Sequence, residues 1–365
     1  MAIKQEFFRG CLLGMAVGDA MGYTVDSRSL EEICRDYGPN GLLGYDLVNG
    51  YADVTSHTQI AAFAANGLLI GLTQQRLKGQ MAAPVRYIGL ALKEWSRSQH
   101  YCAPERNFCW LSGVPEIKRR HSLDNRMLDV LFKGSLGTPE DPVSHYNHGG
   151  ALTETIPIAL LGDDLFLNAD RLDRLGAEAV AQTHGHPEAF ISGAALTHAL
   201  SLVLHDPGIP AEEVLQDTVD AIQFQFGRDY SQTTKIWELL QLAKTLAQSD
   251  SVTPMEAMEQ LSCRSAGEIL AGVLYACMTC HGDFDTAIIT AVNHSGRSAT
   301  VGALTGAVLG AALGEKILPD FYLESLETTP ILLELADDMY NGCPMDMGSS
   351  LFDGDWDHKY IYGGG

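Results

Sequence analysis

Gly10, Gly14, Gly18 and Gly22 recur every four residues near one end of the chain, and Gly302, Gly306, Gly310 and Gly314 repeat that spacing near the other. On an α-helix such spacing lays the glycines along one face, so each run forms a stripe bare of side chains. An interior glycine costs a helix about 1 kcal/mol against alanine. A phased run therefore needs a compensating close approach, either by another backbone or by a ligand that touches main chain. The two runs predict two central helices of one core, packed together.

The rest of the sequence agrees with a helical reading. Ser29 with Glu32, Thr253-Pro254 with Glu256, and Ser265 with Glu268 each set a hydroxyl three residues before a carboxylate, the pairing that satisfies free amides at a helix start. Apolar residues recur at three- and four-residue spacing over 59–72, 187–204, 234–247, 267–278 and 299–313. Strand-like alternation is scarce, with Leu42 to Val48 the best short candidate. The fold class predicted is all-α: one compact helical domain over residues 1–340, with a loop-rich excursion at about 101–146 marked by Pro104, Pro115, Pro139 and Pro142, followed by a tail at 341–365. Asp353-x-Asp355-x-Asp357 lacks the turn glycine and distal carboxylate of a calcium loop, so the last segment reads as a surface tail.

Composition narrows the partners. The 365 residues carry 46 acidic and 24 basic side chains, a formal charge of -22 that repels phosphate backbones and anionic membrane surfaces. Lys118-Arg119-Arg120-His121 is the one basic run and reads as a solvated turn, so neither nucleic acid nor membrane is expected as a partner. The apolar run Ala299 to Gly314 is too short to span a bilayer and reads as a buried helix. The first residues lack the pattern of a secretory signal, and the eight cysteines are dispersed, which together suggest a cytoplasmic protein with reduced thiols. Cys277-x-x-Cys280 lies in an apolar helical pattern without a second pair, so no redox or zinc role is assigned to it.

At Gly18-Asp19-Ala20-Met21-Gly22 a carboxylate sits among small residues inside an apolar helix, an expensive burial unless something pairs with it. With Tyr37-Gly38-x-x-Gly41, this opening resembles the ADP-ribosylglycohydrolases, the group that includes the dinitrogenase-reductase-activating glycohydrolases. Asn147-His148-Gly149-Gly150-Ala151-Leu152-Thr153-Glu154-Thr155-Ile156-Pro157 is similar to the family's asparagine-glycine loop. Thr183-His184-Gly185-His186-Pro187-Glu188-Ala189 closely matches its threonine-histidine segment, and Ala291-Val292-Asn293 with Val301 to Pro319 matches its last core helix. The resemblance implies a cleft that accepts ADP-ribose and hydrolysis of the bond joining ADP-ribose to a protein side chain. It also implies two magnesium ions held by a threonine-aspartate-aspartate block and a second aspartate-rich block.

The sequence departs from the family at those two blocks. They read Thr55-Ser56-His57-Thr58 and Ser295-Gly296-Arg297-Ser298-Ala299-Thr300, with none of the four aspartates. Two neutral hydroxyls, Thr55 and Thr300, do not supply the charge that holds a pair of dications, so no metal cofactor is expected. Arg297 is expected to take over the electrostatic role of a cation. By spacing, the family's arginine in the asparagine-glycine block corresponds to Glu154, and a Glu154-Arg297 ion pair is predicted. Asp26 stands where the resemblance implies an acidic residue that orients water or contacts ribose. A histidine-bound transition metal is a minor alternative, because His57, His145, His148, His184, His186 and His294 cluster around the motifs. Capping or supporting hydrogen bonds are the favoured roles for His184 and His186.

The catalytic candidates are thus Asp26, Glu154 and Arg297. The ligand-binding candidates are Asp19, Thr55, Ser56, His57, Tyr146, Asn147, His148, Gly149, Gly150, His184, Ser298 and Thr300. Asn147 to Gly150 are expected to present backbone amides to phosphate, and Tyr146 to stack on adenine. Three functions compete: recognition of ADP-ribose or a ribosylated molecule with hydrolysis impaired, a glycosidase that works without magnesium, and a structural or partner-binding descendant without catalysis. The oligomeric state is left open.

Overall fold

Helices carry the whole architecture. The computed structural model describes residues 3–100, 102, 107–120, 125–280, 282–348 and 350–364. Among them the chain runs through α1 (Gln5–Val25), α2 (Leu30–Tyr37), α3 (Ser56–Lys78), α4 (Pro84–Gln99), α5 (Asn125–Lys133) and α6 (Thr155–Leu160). It continues through α7 (Ala169–Ala181), α8 (Pro187–His205), α9 (Ala211–Phe226), α10 (Gln232–Ala247), α11 (Pro254–Leu261) and α12 (Ala266–Thr279). The last elements are α13 (Phe284–Val292), α14 (Ser298–Leu313), α15 (Asp320–Glu324), α16 (Thr329–Asn341) and α17 (Gly354–Tyr360). Every stretch of helical periodicity in the sequence falls inside one of these, and the boxes at Ser29, Thr253 and Ser265 are complete, each side chain accepting from the backbone three residues on.

The glycine stripes meet. Helices α1 and α14 run antiparallel in the most extensive helix contact of the molecule, with Gly10 against Gly310, Gly14 against Gly306, Gly18 against Gly302 and Gly22 against Ser298. A β-carbon on any of the four α1 glycines would land on the facing backbone, so the propensity cost of the glycines is offset by contact that only bare main chain permits. Gly314 serves differently, its φ of 82° closing α14. The pair is enclosed by α3, α8, α12 and α13, and buried side chains of all these helices form one core. Helix α8 alone among the described residues is long and apolar enough to cross a membrane, and 78% of that stretch is buried within the protein.

Two expectations fail on packing grounds. Leu42 to Val48 forms no strand: Leu42 is buried, but Leu43, Leu47 and Val48 are exposed, and the one pairing is an isolated bridge from Val48 to Tyr51 around Asn49-Gly50. Nor does the C-terminal segment remain a surface tail. Asp353 caps α17 by accepting from the Trp356 amide. Trp356 and Tyr360 are buried, and their polar ends donate to Thr73 Oγ1 at 3.0 Å and to Asp338 at 2.7 Å. Two aromatic anchors outweigh a glycine- and aspartate-rich composition.

The excursion at 101–146 is loop-rich where it is described, and α5 is its one α-helix. It is pinned by the buried Glu94, which accepts from the Cys109 amide at 3.0 Å and from the Phe108 amide at 2.5 Å. The basic run is spent locally: Lys118 donates to the Ser112 carbonyl, and Arg119 pairs with Glu327. His121 of that run lies outside the described residues, as do Tyr101 and Pro104.

Candidate functional site

The N-terminal ends of α3 and α14 converge because both helices are threaded onto α1. Near the end of α1, Asp19 is fully buried and accepts four hydrogen bonds from the start of α3. They come from the Thr55 amide (2.9 Å) and hydroxyl (2.6 Å) and from the Thr58 amide (3.1 Å) and hydroxyl (2.6 Å). A carboxylate on a helix N-terminus, with hydroxyls filling its remaining lone pairs, resolves the burial cost that the sequence posed. Asp26 repeats the device at α14, accepting from the Ala299 amide at 3.2 Å. The blocks Thr55–Thr58 and Ser295–Thr300 are thereby brought face to face, and Thr300 Oγ1 lies 2.9 Å from His57 Nε2.

A cavity of about 320 Å³ opens over this contact, lined by Asp26, Ser56, His57, Asn125, Arg126, His148, Gly149, Gly150, Arg297 and Thr300. Eight of the sequence candidates are among these. The other seven are placed differently. Asp19, Thr55 and Ser298 are buried behind the wall, Thr55 capping α3 and Ser298 donating to the His294 carbonyl. Tyr146 and His184 support the lining residue His148, and Asn147 is turned to Glu188, rather than lining the cavity themselves. Tyr146 stacks on His148 at 6.1 Å between ring centroids. Asn147 donates to Glu188 at 2.9 Å, and His184 Nε2 lies 3.1 Å from His148 Nδ1.

Glu154, the seventh, requires a correction. Its carboxyl is fully buried and neither oxygen has a hydrogen-bond partner. Burial pushes it well above the usual carboxylate range, so the side chain is a neutral acid enclosed by protein. The Glu154-Arg297 ion pair does not form. The guanidinium of Arg297 instead donates to Ser27 Oγ at 2.9 Å, with Asp26 Oδ2 at 3.9 Å. Its side chain is 53% exposed, against 15% for Asp26, which puts Arg297 at the mouth of the cavity.

The walls are held by buried polar groups. Glu188 at the start of α8 accepts from Asn147, Lys235 (2.8 Å) and Ser265 (2.6 Å), tying the asparagine loop to α10 and α12. Burial raises its carboxyl, but these hydrogen bonds outweigh burial and hold it below its usual value. His186 caps α8, its Nδ1 accepting from the Glu188 amide at 3.2 Å. Burial, and then His148, push His184 well below the usual histidine value, so it stands neutral behind the wall. His294 is also buried, its Nδ1 accepting from the Gly296 amide at 2.9 Å while Nε2 faces the Ala291 carbonyl at 3.0 Å. Asn293 clamps both backbone groups of Leu42, and a β-carbon on Gly41 would strike it, which explains why glycine stands there.

Asn125 and Arg126 were not anticipated. They open α5, inside the excursion, and only the folded path of that loop brings them to the cavity. Arg126 lies 5.6 Å from the centroid of the Tyr146 ring, so arginine, tyrosine and His148 form one layered wall. The charged side chains that line the cavity among the described residues are Asp26, Arg126 and Arg297.

The chain is thus an all-helical domain built on a glycine-striped antiparallel pair, with a polar cleft where its helix starts converge. The family model for ADP-ribosylglycohydrolase matches residues 2–347, and the chain belongs to that family. A solved ADP-ribosylglycohydrolase-related protein complex is similar in structure, with a TM-score of 0.59 at 22% identity over 93% of this chain and 99% of that one. At that identity the likeness is one of fold. No curated protein gives a significant match.

Proposed function

We propose that this cleft recognises ADP-ribose, or a protein or small molecule that carries it, and does so without the pair of magnesium ions that the family resemblance implies, with ancestral hydrolysis impaired. The observation that carries the reading is the 2.9 Å contact between Thr300 Oγ1 and His57 Nε2. Where two hard dications would need anionic oxygens, the facing blocks offer an imidazole, hydroxyls and the Arg297 guanidinium. Asp19 is consumed by its four hydrogen bonds, and Asp26 is shared with Ala299. Among the described residues no group of three or more His, Cys, Asp or Glu side chains converges as a metal site. The donor set does not fit a magnesium pair.

A second reading, a glycosidase that works without metal, draws on Asp26, which lines the cavity beside Arg297. A carboxylate there is placed to orient a water, with the guanidinium stabilising departing charge. Glu154 is excluded from that role by its enclosure. Calorimetry with ADP-ribose, with magnesium and then with EDTA, tests the first reading. Expected is binding that neither addition changes, together with no release from ADP-ribosylated arginine or serine. Metal-free release lost in Asp26→Ala would favour the second, and magnesium-dependent turnover would overturn both.

A further inference from the structure

We infer that the loop between α2 and α3, together with the adjoining face of α15, is a docking surface for a partner protein segment that carries apolar anchors among basic residues. None of its residues lines the cleft, so the inference stands apart from the recognition reading.

The loop is fixed at several points. Leu42 is buried, with both its backbone groups bound by Asn293. The Tyr45 ring meets Tyr322 of α15 edge-on at 4.8 Å between centroids, and the Ala52 amide donates to the Ser325 carbonyl at 2.9 Å. At the tip Asn49 and Gly50 both have positive φ, 55° and 88°, as a type I′ turn requires. Val48 and Tyr51 exchange backbone hydrogen bonds of 2.9 and 3.1 Å across that turn. A segment tied down in this way holds its outward side chains ready, so covering them costs little ordering entropy. Those side chains are apolar: Leu43, Leu47, Val48 and Tyr51 are exposed, as is Phe321 beside the Tyr322 ring. Val48 is 66% exposed and Phe321 58%. They add nothing to the core, and a cluster of exposed apolar side chains rimmed by polar groups is the mark of an interaction surface.

The rim decides the occupant. Residues 42–53 and 320–329 contain no lysine or arginine and five carboxylates, Asp46, Asp53, Asp320, Glu324 and Glu327. Arg119 engages Asp53 and Glu327, while Asp46 accepts from the uncharged Tyr37 hydroxyl at 2.8 Å. Asp46, Asp320 and Glu324 are exposed. A second copy would set the same carboxylates against one another across a two-fold axis, each chain carrying a charge of -22. An anionic membrane surface is repelled for the same reason. A polypeptide with lysine or arginine between its apolar side chains covers the patch and pairs with the rim.

The test is fluorescence anisotropy on the full chain with three short labelled peptides: leucine alternating with lysine, leucine alternating with glutamate, and serine alternating with lysine. The leucine-lysine peptide is expected to bind tightest, about tenfold or more above the other two, and to weaken as salt is added. Val48→Ser combined with Phe321→Ser should lower that affinity about tenfold and melt like the parent, both positions being exposed. Phe224→Ser, at an exposed position on α9, should leave it unchanged, and Asp320→Asn with Glu324→Gln should flatten its salt dependence. Equal binding of the leucine-lysine peptide by the parent and the Val48/Phe321 variant overturns the inference, as does equal binding of the leucine-glutamate peptide or failure of all three to bind. Sedimentation that shows a parent dimer dissociated by the same variant would assign the surface to a second copy and overturn it too.

Discussion

Thr300 and His57, 243 positions apart in the chain, meet with Oγ1 and Nε2 separated by 2.9 Å at the base of the cleft. Their meeting is dictated from α1, because Asp19 fixes the start of α3 and Asp26 fixes the start of α14. The ADP-ribosylglycohydrolase fold thus brings two helix starts together at this point. His57 Nδ1 is buried without a partner, so the imidazole is committed at one nitrogen only.

Magnesium should leave the fold indifferent. A cation present at a hundred times its dissociation constant would add about 2.7 kcal/mol to stability, enough to move a thermal midpoint by several degrees. Expected is an unchanged midpoint in millimolar magnesium or in EDTA. Replacing Ser56, His57, Arg297 and Ala299 together with aspartate places acidic donors in both blocks, and that variant should be unstable alone and rescued by magnesium. A magnesium-raised midpoint in the parent protein would contradict the account of the floor.

The helix pair at the centre should tolerate no added side chain. Gly18→Ala and Gly306→Ala each drive a β-carbon into facing backbone rather than into a movable side chain, and a cost of about 3 kcal/mol or more, or failure to fold, is expected. Gly44→Ala and Gly113→Ala meet nothing within 4 Å and serve as controls that should melt like the parent. Thermal unfolding followed by circular dichroism distinguishes the two classes, and equal midpoints in all four would refute the packing argument.

The glycine stripes, the three capping boxes and the apolar periodicities were legible because each is local: a few residues at fixed spacing decide the outcome. The motif blocks also announced which segments would line a cleft, and Asp26, Ser56, His57, His148, Thr300 and Arg297 do so. What the sequence withheld depended on distances between segments. Glu154 seemed a partner for Arg297 because both sit in motif blocks, yet one is enclosed and the other stands at the mouth beside Ser27 and Asp26. Arg126 carried no signal, since one arginine at the head of a short helix in a loop-rich stretch is ordinary until the loop folds over the cleft. Trp356 and Tyr360 were hidden by the composition around them.

Asp19→Asn should be strongly destabilising without touching the cavity lining. The amide keeps the shape but replaces one acceptor oxygen with a donor that faces donors, two amides and two hydroxyls having been satisfied by the carboxylate. A loss of about 3 kcal/mol is expected, read as a shift in urea midpoint, along with loosened binding of any cleft ligand as the start of α3 frays. A variant as stable as the parent would show that Asp19 does not organise the site.

Glu154 and His294 give stability two opposed pH dependences. Unfolded, a glutamate ionises near its ordinary value of about 4.3. Folded, Glu154 stays protonated well above it because burial disfavours the anion. Over that interval the folded state holds the extra proton, so its contribution is complete below the unfolded value and declines as pH rises. His294 behaves in reverse: burial lowers it from 6.5 to about 4, so between those values the unfolded chain binds more protons. Its contribution is present above 6.5 and is lost as pH falls towards about 4, a difference of about 3 kcal/mol. Glu154→Gln removes the first dependence and leaves the second. Urea midpoints of parent and variant measured from about pH 4 to about pH 8 should diverge steadily in the variant's favour as pH rises. The amide's own unpaired hydrogens impose a constant offset, so it is the slope that reports on the carboxyl, and parallel curves would mean that Glu154 is ionised in the folded protein.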